Sequence, residues 1–437
     1  MDRPHPFRAL QQLRPAQRLK AGLLSGWFFL LITTLWLLKP IRQASLLAHL
    51  GSAEIPYVRL GAVAVVAVIV ALYSRLVDRL TRLQVARGAS LVFSGLLVAF
   101  WIALLLGGEV LGAQRWFVWA VFILVDIYAT VMVGIFWTYT NDVVSREEAD
   151  VLYGPIGIGG IVGGVAGGVT VDALVGAIGH VDLLLLCAGL GVACAGVVTY
   201  AEHALHPAPR RPHREDPRAL HAALEGLRQV VHSRYLVLIV GIVVGYEFAA
   251  AMTDFVVSVI FEARFVGQQE LTQMFGRLGW IVSATALVAQ LVIVPVLLPH
   301  KRIALLVPPI AMALATIGLA IVPVVSIAIL LSATDRGLNY SLQQVTKETL
   351  YVPLTDVERY KAKALIDMFV DRAGKALSAL ALMAIIARAG ISISISLAVA
   401  LVALALWTVC ARALGRAYAR RVAEAEPAPE PALRGTG

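Results

Sequence analysis

Twelve apolar stretches, most of them long enough to cross a bilayer, divide this chain of 437 residues into six, a basic break and six more. They fall at about 22–48, 57–77, 88–107, 116–139, 153–178 and 182–200, then at 235–261, 272–298, 303–322, 324–344, 361–387 and 391–412. About 20 apolar residues, at a rise of about 1.5 Å each, match a hydrocarbon core of roughly 30 Å. Such runs must be helical, because lipid offers backbone N–H and C=O groups no partner outside the segment. A transmembrane barrel would need short alternating strands, and these runs are apolar on every face. With 59% apolar and 15% charged residues, the chain also lacks the polar cover of a soluble fold. The expected fold is an all-α membrane protein of twelve spans in two six-helix halves. Its expected parts are an N-terminal bundle over 1–200, a linker over 201–234, a C-terminal bundle over 235–412 and a disordered tail over 413–437.

Charge placement sets the orientation, since Lys and Arg in short loops stay on the cytoplasmic side. Arg14, Arg18 and Lys20 precede the first span, Arg75, Arg79, Arg82 and Arg87 follow the second, and Arg210, Arg211, Arg214 and Arg218 occupy the break. Lys301 and Arg302 follow the eighth span, and Arg412, Arg416, Arg420 and Arg421 the last, whereas the loops at 108–115 and 179–182 hold few cations. Both termini are therefore expected in the cytoplasm of a cell whose inner membrane the chain spans many times. The net charge of +9 reads as topology and attraction to the lipid bilayer, with no nucleic acid as partner. The first apolar run is too long for a cleavable signal peptide and is expected to remain as an anchor. The three cysteines, Cys187, Cys194 and Cys410, sit inside apolar segments without metal-ligand spacing. Neither a metal site nor a cofactor is expected. No nucleophile with a paired base and no ATP-binding loop stands out, which argues against an enzyme.

Ionisable groups within spans are the best functional pointers, because each costs roughly 2.5–3.5 kcal/mol to insert at mid-bilayer. Lys39 and Arg42 flank Pro40 in the first span; Asp126 lies in the fourth, Asp254 in the seventh, and Asp335 with Arg336 in the tenth. Two six-helix halves joined by a cytoplasmic linker resemble the major facilitator superfamily, whose first, fourth, seventh and tenth helices line the central cavity. The resemblance implies that these charges face a substrate; the plainer alternative is that the cations snorkel outward and pair with the acids. Arg277 in the eighth span is a further candidate cation. Between the second and third spans, Ser74, Asp78, Arg79 and Arg82 resemble the superfamily's loop signature, which braces the cytoplasmic gate. In the fifth span, Gly160, Gly164 and Gly168 are four apart and place small residues on one face, where a neighbouring backbone can approach. A phosphate-binding loop is excluded there, as no Gly-Lys-Ser/Thr follows.

The stretch from Asn339 to Lys375 is rich in charge for a membrane segment: Lys347, Glu348, Lys361, Lys363, Asp367, Asp371, Arg372 and Lys375. Lys363 with Asp367, and Asp371 with Lys375, are four apart and can pair along one helix face. The segment reads equally as a cytoplasmic gate network, with Asp367, Asp371, Arg372 and Lys375, or as part of a ligand site.

At these residues the chain resembles the ATP/ADP translocases, the nucleotide transporter family of intracellular bacteria and plastids. The resemblance rests on Asn339-Tyr340-Ser341-Leu342, Thr346-Lys347-Glu348, Tyr351-Val352-Pro353-Leu354, Lys361 to Asp367 and Gly374-Lys375. It rests equally on Leu38-Lys39-Pro40-Ile41-Arg42, Phe136-Trp137, Asn141, Glu148-Ala149, Tyr153 and Gly157-Ile158-Gly159. It implies that Lys39, Arg42, Asp254, Lys347 and Lys363 share in binding nucleotide phosphates. The chain departs from that pattern at Gln43, where the family often has Asp, at Ser258, where it often has Lys, and at Val125 beside Asp126, near a family Glu. The leading expectation is a secondary transporter that exchanges an anionic, nucleotide-like solute by alternating access, binding it with Lys39, Arg42 and Arg336. The alternatives are proton-coupled transport of another organic anion or amphipathic compound, with Asp126 or Asp254 as proton carrier, and a non-transporting scaffold or sensor.

Overall fold

A computed structural model describes residues 14–77, 80–205, 230, 232–351, 354 and 365–425. Every regular element among the described residues is helical. The first half comprises α1 (Pro15–Leu50), α2 (Ile55–Val77), α3 (Arg82–Gly112), α4 (Arg115–Val143) and α5 (Arg146–Leu205). The second comprises α6 (Arg234–Arg264), α7 (Gly267–Val288), α8 (Lys301–Ile321), α9 (Val325–Leu338), α10 (Asp371–Ala389) and α11 (Ile393–Ala425). Among the described residues, nine helical stretches are long and apolar enough to cross a membrane, and the chain is a multi-pass membrane protein.

The breaks between spans are shorter than the charge pattern suggests. Helix α5 holds both the fifth and the sixth expected spans and breaks only at Gly179, whose φ of +80° with ψ of 165° belongs to glycine almost alone. Helices α6 to α11 therefore correspond to the seventh to twelfth spans. Helix α7 continues through a π-turn, Ala289–Ile293, into a last turn, Val294–Leu297. Pro295 has no N–H to give to the preceding turn, and the wider π-turn accommodates that missing bond. Helix α9 likewise continues through the π-turn Asn339–Gln343 into Gln344–Leu350, and the π-turn Ile366–Val370 leads into α10. Residues 413–425, expected in the disordered tail, instead extend α11, since the Ala, Arg, Leu and Glu that dominate there are strong helix formers.

Glycine lets α5 pack against both halves. A Cβ at Gly159, Gly163 or Gly167 would lie 2.5, 2.5 or 2.6 Å from the carbonyl oxygens of Ser25, Phe29 and Thr33, one turn apart along α1. The neighbouring stripe turns toward aromatic residues: Gly160 meets Phe28, Gly164 meets Trp36, and a Cβ at Gly168 would stand 2.4 Å from the backbone nitrogen of Trp280 on α7. Gly276 of α7 returns the fit, with Val171 Cγ1 at 2.6 Å from its Cβ position. The spacing of small residues thus serves close helix contact, as the pattern suggested.

Two buried apolar clusters follow from this packing. One lies within the first half around Trp27, Tyr128, Phe136 and Tyr139. The other fills the second half around Phe255, Phe261 and Trp407, and takes in Trp36, Leu46, Ile55 and Val118 of the first. Those four residues sit toward the end of α1 or at the starts of α2 and α4, so the halves share a core at the end of the bundle away from the start of α1. The Ser52 amide donates to Glu262 Oε2 at the same end, at 2.9 Å.

Replacing Gly168 by Leu should force α5 and α7 apart at a cost of at least about 1–3 kcal/mol. The thermal midpoint of the purified protein should fall by several degrees, whereas Gly134→Ala, where a Cβ meets nothing within 4 Å, should leave it unchanged.

Candidate functional site

Between the halves lies a cavity of about 590 Å³ to which seven helices each turn one face. Helix α1 contributes Trp36, Lys39, Pro40, Arg42 and Gln43, α2 Arg59, Ala62, Val63 and Val66, and α4 Phe122, Asp126, Ala129 and Thr130. Each set follows the spacing of three and four that defines one side of a helix. From the second half come Tyr246, Glu247, Ala250, Ala251 and Asp254 of α6, Phe275 and Leu278 of α7, Asp335 and Arg336 of α9 with Tyr340 of its π-turn, and Asp371, Arg372, Lys375 and Ser378 of α10. Six of the lining side chains are cationic and five acidic.

Most of these charges hold one another. Arg42 is bonded to Asp126 and lies over the ring of Phe122, with 4.3 Å from its guanidinium carbon to the ring centre. Asp254 accepts from two arginines at once, Arg59 of α2 through one oxygen and Arg336 of α9 through the other. That node ties the two halves together through a single carboxylate. On α10, Lys375 reaches Asp371 at 2.7 Å, the pairing four apart that the sequence suggested. Two cavity cations have no carboxylate partner among the described residues: Lys39, whose ammonium sits 4.6 Å from the ring centre of Trp36, and Arg372.

The other expected site residues lie elsewhere. Arg277 is outside the cavity lining and forms a two-pronged pair with Asp172 of α5, at 3.1 and 3.2 Å, with Trp280 Nε1 donating to the same carboxylate at 3.1 Å. It clamps the glycine-lined contact of α5 with α7 instead of meeting a ligand. Lys347 lies on Gln344–Leu350, beyond the cavity lining. Asp367 falls in the π-turn Ile366–Val370, and Asp78, Arg79 and Lys363 lie outside the described residues. Arg82 is buried and grips Glu202 of α5 at 3.0 and 3.2 Å, and Tyr139 of α4 donates to that carboxylate at 2.7 Å. Asp371, Arg372 and Lys375, read from the sequence as gate or ligand residues, line the cavity.

At the end where α1 begins, Lys20 pairs with Glu148 at 2.8 Å and donates to the Val143 carbonyl at 3.1 Å. Partial burial pushes the Glu148 carboxyl up, but its hydrogen bonds from Lys20 and Ser145 outweigh this and hold it below its ordinary value. The pair therefore stabilises above the ordinary carboxylate range and is lost only as pH falls through the lowered value.

A family model described as TLC ATP/ADP transporter matches residues 105–326 and 275–418. The chain belongs to that family. TLC relatives include ADP,ATP carrier protein 2 of the chloroplast of Arabidopsis thaliana, 21% identical over 295 residues, which are 59% of this chain and 47% of the carrier. Carrier protein 1 of the same plant is 22% identical over the same shares. The chain thus spans about half the length of the curated relatives it matches. Among solved structures it is similar to a POT family peptide transporter, with a TM-score of 0.61 at 12% identity over 92% of this chain and 97% of that one. It is also similar to the nucleoside transporter NupG, with a TM-score of 0.58 at 16% identity over 94% and 99%. At such identities the likeness shows the fold alone.

Two positions where this TLC member departs from the family pattern turn out to face each other. Gln43 Nε2 donates to Ser258 Oγ at 3.2 Å, from α1 to α6, and Ser258 in turn donates to the Asp254 carbonyl at 2.8 Å. The two positions read from the sequence as departures are thus joined to each other by a neutral hydrogen bond. The third, Asp126, keeps its carboxylate in the cavity, while Val125 is buried in the first-half core.

Sequence reasoning passed over Arg59 and Glu247, although each is an ionisable residue inside an apolar run. Arg59 sits close enough to the start of its span to read as a loop charge, and Glu247 stands among small and aromatic residues with no cation nearby in sequence. Asp254→Asn should leave Arg59 and Arg336 facing each other unneutralised and destabilise the protein by about 3 kcal/mol, the low end for a broken buried pair. Adding Arg59→Gln should restore part of the lost thermal midpoint; no recovery would show that the two arginines do not share Asp254.

Proposed function

We propose that the chain is a secondary transporter that exchanges an anionic, nucleotide-like solute across the cell's inner membrane by alternating access. The observation that carries this is the composition of the interhelical cavity. Lys39 and Arg372 face it without carboxylate partners among the described residues, and Arg42 and Arg336 are held only by acids that a ligand can displace. Its volume is within the range of about 300–1,000 Å³ typical of small-molecule sites. Family membership and curated relatives named as ADP,ATP carriers favour a nucleotide over other anions.

Phosphate oxygens can bind Arg42 and Arg336 in a two-pronged geometry, whereas Asp126 and Asp254 each offer them a single oxygen. A phosphate-bearing solute would therefore compete with those carboxylates. Because Asp254 bridges Arg59 of one half and Arg336 of the other, drawing Arg336 to the ligand would loosen a bond between the halves. Entry of the solute and rocking of the two halves are thereby linked.

Twelve spans complete the reading. The two arms of α5, the segment from Val325 to Leu350 and the segment from Ile366 to Ala389 supply those beyond the stretches already apolar enough by themselves. The cation distribution supports cytoplasmic termini.

Liposomes holding the purified protein and preloaded with unlabelled ADP should take up labelled ATP with no ion gradient. Lys39→Ala and Arg42→Ala should each lower that uptake at least about tenfold, as expected for losing a charged contact of about 1.5–3 kcal/mol, without altering insertion. Full exchange in both variants would overturn the assignment. Topology has a separate check: a single cysteine at 113 should react with an impermeant maleimide added outside intact cells, and one at 215 only after permeabilisation.

A further inference from the structure

Two carboxyl groups in the cavity are not accounted for by anion binding. Glu247 of α6 and Asp335 of α9 are only 9% and 8% exposed, and neither forms an ion pair among the described residues. Asp335 Oδ1 is buried and accepts no hydrogen bond. Glu247 lies on Gly374 of α10, its Cβ and Cγ each 3.2 Å from the Cβ position there, and so sits between Asp371 and Lys375, facing Asp335 as well. Asp335 is faced by Tyr246 and Asp254 of α6 and by Arg336 of its own helix. The cations near both acids are shared with another carboxylate that holds them directly, Lys375 with Asp371 and Arg336 with Asp254. A carboxylate buried without a counter-charge is relieved by taking up a proton.

We infer that Glu247 and Asp335 form a proton-carrying pair that couples solute movement to a proton gradient. The inference rests on the reading of the cavity as a transport site. Asp126 and Asp254, the acids the sequence offers for this role, are poorly suited to it. Each already has an arginine as its counter-charge, so neither is a carboxylate left without a partner. The step itself is simple: a carboxylate oxygen takes a proton from water on one side of the membrane and gives it to water on the other, with no bond other than O–H made or broken. With all groups charged, the lining has one more cation than acids, and with protons on Glu247 and Asp335 the surplus is three. Protonation therefore strengthens binding of a phosphate-bearing anion, and by linkage the bound anion strengthens protonation. Losing the protons on the alkaline side weakens the hold on the solute and releases it there.

Infrared spectroscopy of the purified protein in lipid tests the pair without any substrate. A protonated-carboxyl band should be present at neutral pH, fade as the pH is raised, and weaken in Glu247→Gln and in Asp335→Asn, while Glu247→Asp retains it. In liposomes without internal nucleotide, an inside-alkaline gradient of one pH unit should raise accumulation of labelled ATP by up to about tenfold per proton carried. Both neutral variants should lose that stimulation, and whatever gradient-free exchange they show should no longer respond to pH. Absence of the band at neutral pH, or neutral variants that keep both band and stimulation, would overturn the pair. A wild-type protein that shows the band but moves no nucleotide would overturn the nucleotide reading and leave the proton pair standing.

Discussion

The structure depends on the cost of placing charge inside a membrane, and on a single carboxylate that meets this cost for two arginines. Asp254 neutralises Arg59 from one half and Arg336 from the other at the wall of the cavity. An apolar interface would hold the halves in one arrangement with no means of response. An ionic bond that a charged solute can compete for gives the same interface a second arrangement, which alternating access requires. The cavity around it repeats this logic, with Arg42 held by Asp126 as Arg59 and Arg336 are held by Asp254.

Packing and polarity divide the work between opposite faces of the same helices. Helix α5 turns two stripes of glycine toward α1 and α7, and Arg277 with Trp280 fastens that contact through Asp172. The glycine contacts with α1 are too close for either helix to move alone, so α1 and α5 form one rigid pair. Rigid pairs of this kind let a small rearrangement of cavity charges become a movement of whole halves. The Gln43–Ser258 hydrogen bond also joins the two halves. A neutral bond between α1 and α6 is weaker than a charged one and leaves more of the joining of the halves to Asp254.

The sequence by itself determined the class of fold, the helical spans and several of the cavity charges. A bilayer allows one solution to a long apolar run, and every charge within such a run stands out against it. Lys39, Arg42, Asp126, Asp254 and Arg336 were legible for that reason, and the glycines of the fifth span for their spacing. The length of α5 and α11 was not, because a single glycine can break a helix as completely as a loop, and helix formers continue a span past the membrane. Only the tertiary structure decided which charges meet. Arg277 and Arg336 look alike along the chain, yet one clamps two helices and the other faces the cavity, because the face a residue takes depends on neighbours far away in sequence. The same holds for the acids: Asp254 lies between two arginines, whereas Glu247 and Asp335 lie beside cations already taken, and three-dimensional packing alone makes that distinction.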